Sequence, residues 1–456
     1  MERRDMLKAM GATAAGFVAG DSAPAEAADA DLPKNPYGSP PGSGISMAPY
    51  YKPTPSIKNK NNFFPNTEEL GKDEMRITFL GSNPFPPRLS QAGTCIMVEL
   101  GNGSRLFFDF GPGCMRNIIG MQVPIPEVND IFLTHLHVDH YADLPYLYAF
   151  APWLGRWKPL RVHGPSGRTR KDGTKAMIEA MQQMAHWHTD SFNACPMADG
   201  YEVEVNEFDF RDDNGICYDK NGVTVRHWRR SHTKDGASAY RLDWNGLSFV
   251  WTGDGKPDQL TAKYAKGCDV FVSEMVLDIP ALWSLKHGNA LVIGEFTIDA
   301  FHSPGYGVGY LTKQVNPRLA MASHFSFDRE LLGSAVAEVR THWKGMFAFG
   351  IDLTVVNVTK DAIWMREAAI PDAANAAKLN PNWMVQEMFG GVVPKEIMLP
   401  KPRHTIASVQ EQAVRDLEIN PDEFTPPDQI RPWVREWPTN LKIDPAAFLG
   451  SPPAKK

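Results

Sequence analysis

The stretch Ile131-Phe-Leu-Thr-His135-Leu-His137-Val-Asp139-His140 decides the reading of this chain. Ile131, Phe132, Leu133 and Thr134 form a short apolar, β-prone run, the pattern of a buried strand. The strand empties into a loop of metal-ligand residue types. His135 and His137 are two apart, so on extended backbone they point the same way and can grip one ion. Asp139 and His140 follow at once and can turn to a second ion beside it. Imidazole nitrogen combined with carboxylate oxygen suits Zn²⁺ best, with Mn²⁺ and Fe²⁺ as alternatives. Histidine makes up only 13 of 456 residues, so a chance His-rich surface loop is the weaker reading.

Working outward, the preceding chain predicts strands at 76–81, 94–100 and 105–110, the last two joined by Gly101-Asn102-Gly103. Asp109-Phe-Gly111-Pro-Gly113 then leads into a helix. Beyond the metal loop, residues 141–157 form an aromatic-rich helical stretch, read chiefly as core packing, with some rings able to wall an apolar pocket beside the metals. A strand and turn follow at 161–165, then a helix at 174–184. Residues 190–219 are acidic, with Arg211 the only basic residue, and Val203, Val205, Phe208 and Phe210 mark strands there. Strands at 223–229, 238–244 and 247–252 include a hairpin turned at Asn245-Gly246. Further buried strands are expected at 269–273 and 319–323. Two more, at 354–358 and 362–365, are expected to close the second sheet.

A two-metal site needs more ligands, and they belong at strand ends. His232 lies beyond strand 223–229, Asp254 beyond 247–252, and His324 beyond 319–323. Taken singly, each is an ordinary loop residue. The pattern HxHxDH and these later positions together resemble the metallo-β-lactamase superfamily. Phe79-Leu-Gly-Ser82, His163-Gly-Pro165-Ser-Gly167, Ser231-His232 before Tyr240-Arg-Leu, and His324-Phe-Ser326 resemble its ribonuclease Z and arylsulfatase-like branch, over residues 76–330.

The resemblance implies an α/β (α+β) fold, the αβ/βα sandwich of two mixed sheets with outer helices, its site where loops gather at one sheet edge. It implies His135, His137 and His232 on one ion, Asp139, His140 and His324 on the other, and Asp254 bridging them. It also implies auxiliary roles for Glu274 and His302, His302 donating a proton or stabilising charge and Glu274 orienting it. His302 also reads as an ordinary loop histidine, and His287 is its weaker substitute. The activity so implied is metal-assisted hydrolysis, with a metal-bridging hydroxide as nucleophile and Asp139 orienting it.

The remaining histidines have plainer readings. His163 is structural, His186 and His188 are surface or pocket residues, and His227 shares a strand face with Val223 and Val225. Arg229, Arg230 and Lys234 around His232 suit either an anionic substrate or a solvated strand end.

A net charge of −6 and a pI near 6.1 give no electrostatic footprint for nucleic acid, and none is expected as a partner. The five cysteines, without a CxxC pair, read as core thiols. The expected substrate is a small-molecule phosphodiester or sulfate ester. A carboxylic ester or lactone is the alternative, and tRNA 3′ processing or a non-catalytic metal-binding role is less favoured.

Residues 1–30 read as a bacterial twin-arginine export signal. Arg3-Arg4 is followed by an Ala-rich apolar run and by Ala-Pro-Ala and Ala-Glu-Ala cleavage-type triplets, which implies a periplasmic protein. Residues 31–72 read as a Pro/Gly-rich linker arm, 73–368 as the catalytic domain and 369–456 as a Pro-rich C-terminal extension. No transmembrane span is expected. The arms at both ends suit a homodimer, in which they reach across a partner.

Overall fold

The computed structural model describes residues 61–370, apart from 66–67, 86–87, 193–194, 196 and 327. The export signal, most of the linker arm and nearly all of the C-terminal extension lie outside the described residues.

The first seven strands are β1 (Asn62–Phe63), β2 (Met75–Gly81), β3 (Cys95–Leu100), β4 (Arg105–Phe108), β5 (Asp130–Phe132), β6 (Leu160–Pro165) and β7 (Val203–Phe208). The next seven are β8 (Gly215–Lys220), β9 (Val223–Arg229), β10 (Ser238–Trp244), β11 (Leu247–Trp251), β12 (Val270–Glu274), β13 (Leu319–Ser323) and β14 (Phe347–Phe349). The last two, β15 (Thr354–Val358) and β16 (Ile363–Ala368), return to the first group. The result is a nine-stranded sheet, β1-β16-β15-β2-β3-β4-β5-β6-β7, and a seven-stranded sheet, β14-β13-β12-β11-β10-β9-β8.

Both sheets are mixed. β2, β3 and β4 are antiparallel neighbours, whereas β4 through β7 run parallel, as do β11 through β14. Strands inside the parallel runs are covered on both faces, which explains the unbroken burial of β5, β12 and β13. Asn245 and Gly246, at φ 48° and 75°, make the β10–β11 hairpin with the left-handed pair that matches strand twist.

The sheets face one another. Alternate residues from each, among them Ile77, Phe79, Phe108, Phe132, Leu242, Phe249, Trp251 and Met321, interlock into one apolar layer. The opposite face of the nine-stranded sheet (Met97, Phe107, Ile131, Val162) packs on helices Cys114–Gly120, Leu144–Phe150 and Thr174–Met184. The opposite face of the seven-stranded sheet packs on helices Gly305–Val315 and Leu332–Arg340 through Leu311, Val308 and Val339. These four layers are the expected αβ/βα sandwich. Truncating a central ring such as Phe249 to Ala would cost roughly 3–5 kcal/mol.

Three expectations need correction. β15 and β16 extend the nine-stranded sheet, β15 pairing with β2 from Val355↔Thr78 to Val358↔Met75, rather than closing the second sheet. An isolated apolar strand has no sequence mark of which sheet edge it joins. The linker arm does not run to residue 72: Asn62 and Phe63 already pair in parallel with Glu367 and Ala368. The helix expected at 141–157 is split into Leu144–Phe150 and a 3₁₀ turn, Ala151–Leu154, ended at Gly155 in the left-handed region. Pro152 removes the amide that a continuous helix would need. All five cysteines are free, four of them buried. Among the described residues, no helix is long and apolar enough to cross a membrane.

Candidate metal centre

Strand β5 delivers Thr134 and His135 to the loop end of the nine-stranded sheet. The seven-stranded sheet delivers His232, Asp254, Glu274 and His324 to the same end, at or just beyond the C-termini of β9, β11, β12 and β13. The two sets meet closely at Gly253, which is at φ 57°. A Cβ there would lie 2.7 Å from the Cβ of Thr134, so a side chain would push the two loops apart.

Seven side chains converge in two groups that share one member. His135, His137, His232 and Asp254 form the first, and Asp139, His140, His324 and Asp254 the second. In the first, His137 Nδ1 lies 3.0 Å from His135 Nε2 and 3.2 Å from His232 Nε2. Asp254 Oδ2 is 3.9 Å from each of those Nε2 atoms. In the second, His324 Nε2 lies 3.1 Å from His140 Nε2, 3.3 Å from Asp139 Oδ2 and 3.4 Å from Asp254 Oδ1.

These spacings test the fit to a metal. Ligand bonds of 2.0–2.1 Å in a tetrahedron place neighbouring donor atoms about 3.3 Å apart. The observed 3.0–3.9 Å separations bracket that value. Asp254 Oδ1 is buried without a hydrogen-bond partner, an uncompensated lone pair aimed into the cluster. Imidazole nitrogens and carboxylates packed this way fit two divalent cations, with Asp254 between them.

The ring nitrogens that face away are held, which fixes those that face in. His232 Nδ1 donates to the Phe301 carbonyl at 3.1 Å, and His140 Nδ1 to Asp109 at 2.9 Å. Burial lowers the pKa of His135 and His137 and brings His232 down to about 4, so each is neutral and ready to ligate near pH 7. Burial also acts on Asp254, but the neighbouring imidazoles His324 and His140 outweigh it and hold the carboxyl ionised.

Asp109 is the site residue that the sequence reading passed over as a helix lead-in. It is fully buried, at φ 59°, and accepts from Thr134 N and Oγ1, from His140 Nδ1 and from Trp251 Nε1 at 2.7–2.9 Å. Its local signal was an Asp closing an apolar strand before a glycine. Its partners lie 25, 31 and 142 residues away in sequence.

Glu274 and His302 are also brought together. His302 Nδ1 lies 2.7 Å from Glu274 Oε2, and Glu274 Oε1 accepts from Gly255 N at 2.7 Å, beside Asp254. Burial alone would lower the pKa of His302, yet Glu274, with Asp254 and Asp139 behind it, pushes it up to about 9. His302 is therefore protonated near neutrality. His287 instead touches the carbonyls of Trp283 and Phe85 and takes no part in the ligand groups.

Other readings resolve structurally. His163 is buried, stacked on Phe132 at 4.4 Å and bonded to Asp130. His188 contacts the Ala149 carbonyl, and His227 is buried under Phe208. The basic residues around His232 are paired: Arg229 with Asp213, Arg230 with Asp258 and Lys234 with Asp172.

The metallo-β-lactamase superfamily model matches residues 91–172, which include the His135–His140 loop. A ribonuclease Z from Methanococcus maripaludis is 31% identical over 147 residues, 32% of this chain and 42% of that protein. A ribonuclease BN from Proteus mirabilis is 31% identical over 246 residues, 54% of this chain and 67% of that protein. The chain belongs to the metallo-β-lactamase superfamily, in its ribonuclease Z-like branch. Coverage of the relatives thus runs from under half of the first to two thirds of the second. The metallo-β-lactamase fold protein YhfI from Bacillus subtilis, at 18% identity, aligns with a TM-score of 0.48 over 63% of this chain and all of its own. Members of the superfamily are metal-dependent hydrolases, and this chain carries the corresponding His/Asp cluster.

Proposed function

We propose that this superfamily member is a dinuclear metal-dependent phosphodiesterase acting on a small molecule, with a sulfate ester as the neighbouring possibility in the same chemistry. One observation carries the reading. Two ligand groups share Asp254, and the paired acid His302–Glu274 stands directly beside them. Two bound divalent ions, Zn²⁺ by the donor set, would supply an activated water and neutralise developing negative charge.

The chain's own residues do the rest. Asp139, held ionised because His140 and His324 outweigh its burial, orients the attacking water and takes its proton. As the new O–P bond forms and the ester O–P bond breaks, His302 gives its proton to the leaving oxygen. Glu274 holds the imidazolium by Nδ1 and leaves Nε2 as the donor. Asp109 and the Phe301 carbonyl keep His140 and His232 in the ligating tautomer.

The names of the relatives support phosphodiester over carboxylic ester or lactone chemistry. They also favour a second reading, cleavage of RNA. The pairing of Arg229, Arg230 and Lys234 with acids, and the net charge of −6, weigh toward a small substrate. Export to the periplasm by the twin-arginine signal and assembly as a homodimer belong to the same proposal.

The test is turnover of bis(p-nitrophenyl) phosphate, p-nitrophenyl sulfate, p-nitrophenyl acetate, a lactone and a 3′-extended tRNA, alongside elemental analysis. The expected result is close to two zinc ions per chain with the phosphodiester turned over fastest. Preference for the acetate or lactone would replace the phosphodiesterase reading, and efficient tRNA cleavage would replace the small-molecule reading.

A further inference from the structure

The helix Leu291–Phe301 is apolar on more than the face it buries. Gly294 and Ile298 turn inward, Gly294 lying against Ser284 and Trp283 of the preceding helix Pro280–His287. Val292, Ile293 and Phe296 are nonetheless 63%, 47% and 59% exposed. Surface helices ordinarily place polar residues there, and clustered exposed apolar side chains mark a recognition surface.

The stripe runs into the metal centre. The Phe296 ring meets Phe301 edge-on at 5.0 Å, and the Phe301 ring stands 6.1 Å from that of the ligand His232. The Phe301 carbonyl holds His232, and His302 follows at the helix end. Lys256 Nζ bonds the Ile298 carbonyl at 3.1 Å, tying the helix to the loop that carries Asp254. On the metal loop itself, Val138 is 62% exposed between His137 and Asp139. The mouth also carries cations: Arg88 and Lys286 share one carboxylate, Asp328, and Lys286 reaches the Ser326 carbonyl two residues beyond His324.

We propose that this apolar stripe makes the enzyme selective for amphiphilic substrates. The anionic ester would sit at the ligand cluster, and an alkyl or aryl substituent would lie along Phe301, Phe296 and Val292. The proposal rests on the hydrolase reading above and adds the substrate class. Phe296 and Val292 are specificity residues that touch only the substituent, so they act on binding of the apolar part and leave the chemistry alone.

The test is calorimetric binding of alkylphosphonates of two to eight carbons to the metal-loaded protein, with hydrolysis of p-nitrophenyl alkyl phosphates of the same lengths. Affinity is expected to rise about two- to fourfold per methylene, the range for half to full burial of each group. Phe296→Ser and Val292→Ser should flatten that slope and raise KM for the longer esters more than for the shortest. Trp187→Ser, at a site 81% exposed on another helix, should leave the slope intact. A flat series, or no binding at any length, would overturn the proposal. So would a slope untouched by Phe296→Ser when that variant instead alters sedimentation, because the stripe would then be a subunit contact. Graded binding without hydrolysis of any phosphoester would sink the phosphodiesterase reading alone and uphold apolar recognition.

Discussion

The two sheets build their shares of the metal centre in opposite ways. The nine-stranded sheet supplies four ligands from one loop, His135 to His140, as a block six residues long. The seven-stranded sheet supplies His232, Asp254 and His324 singly, from the ends of three strands, with Glu274 and His302 between them. A contiguous loop fixes ligand type and direction locally. A distributed set depends on sheet register, and Gly253 against Thr134 is where the two kinds of order are matched. The distributed half also holds the His302–Glu274 pair, the proposed proton donor, so under that proposal the contiguous half grips while the other half both grips and acts.

The comparison breaks most severely at Asp254, the one ligand common to both groups. Asp254→Asn should lower activity by on the order of ten-thousandfold and leave one metal ion or fewer per chain by elemental analysis. Retention of two ions would show that the halves do not depend on a shared carboxylate.

His302 separates gripping from acting. His302→Gln should cost roughly a hundred- to a thousandfold in kcat with metal content unchanged. Because Glu274 outweighs the effect of burial and raises His302 to about 9, wild-type activity should fall as pH rises through that value and the donor loses its proton. Glu274→Gln removes the raising charge, so this alkaline limb should move to lower pH. A limb that stays near 9 would mean another group is the acid.

Asp109 asks whether the contiguous block is self-sufficient. Asp109→Asn should weaken metal binding by roughly ten- to a hundredfold, felt mainly at the His140 group. Titration of the stripped protein with Co²⁺ would read the two sites separately by their spectra. Equal loss at both would show that Asp109 supports the whole loop rather than His140.

The smallest expected effect is on stability and lies away from the site. His227 in β9 is held near 4 by burial, which outweighs Asp212 and Asp213. Its folded-state value is depressed for a base, so the unfolded chain takes up the proton first. Stability should be complete above about pH 6.5 and fall toward pH 4, by on the order of 1 kcal/mol per pH unit. His227→Gln should flatten that part of the urea-midpoint profile. An unchanged slope would assign acid sensitivity elsewhere.

How much could be read in advance follows the same division. The candidate ligands that the structure brings together were legible because each is a metal-binding residue type placed at or just beyond a buried strand, and strand periodicity is a strong local signal. The helices Pro280–His287 and Leu291–Phe301 were not, because an apolar run such as Leu291-Val-Ile293 without a side-chain cap suits strand or helix equally. Sheet membership of β15 and β16 was misread, since pairing with β2 is set by packing some 280 residues away in sequence. Asp109 escaped notice because its work is done through Trp251 and His140, long-range partners that no local pattern names.

Asp109 and His324 share one further property: both have left-handed backbone, at φ 59° and 54°, a region that suits glycine better. Each such residue costs of order 1 kcal/mol or more. With histidine rings crowded around buried carboxylates besides, the candidate metal-binding end carries strain in both backbone and side chains. A chain with glycine at both positions would gain an easier backbone and give up His324 of the cluster and the Asp109 carboxylate that holds His140, so what the site needs and what the fold would prefer pull against each other there.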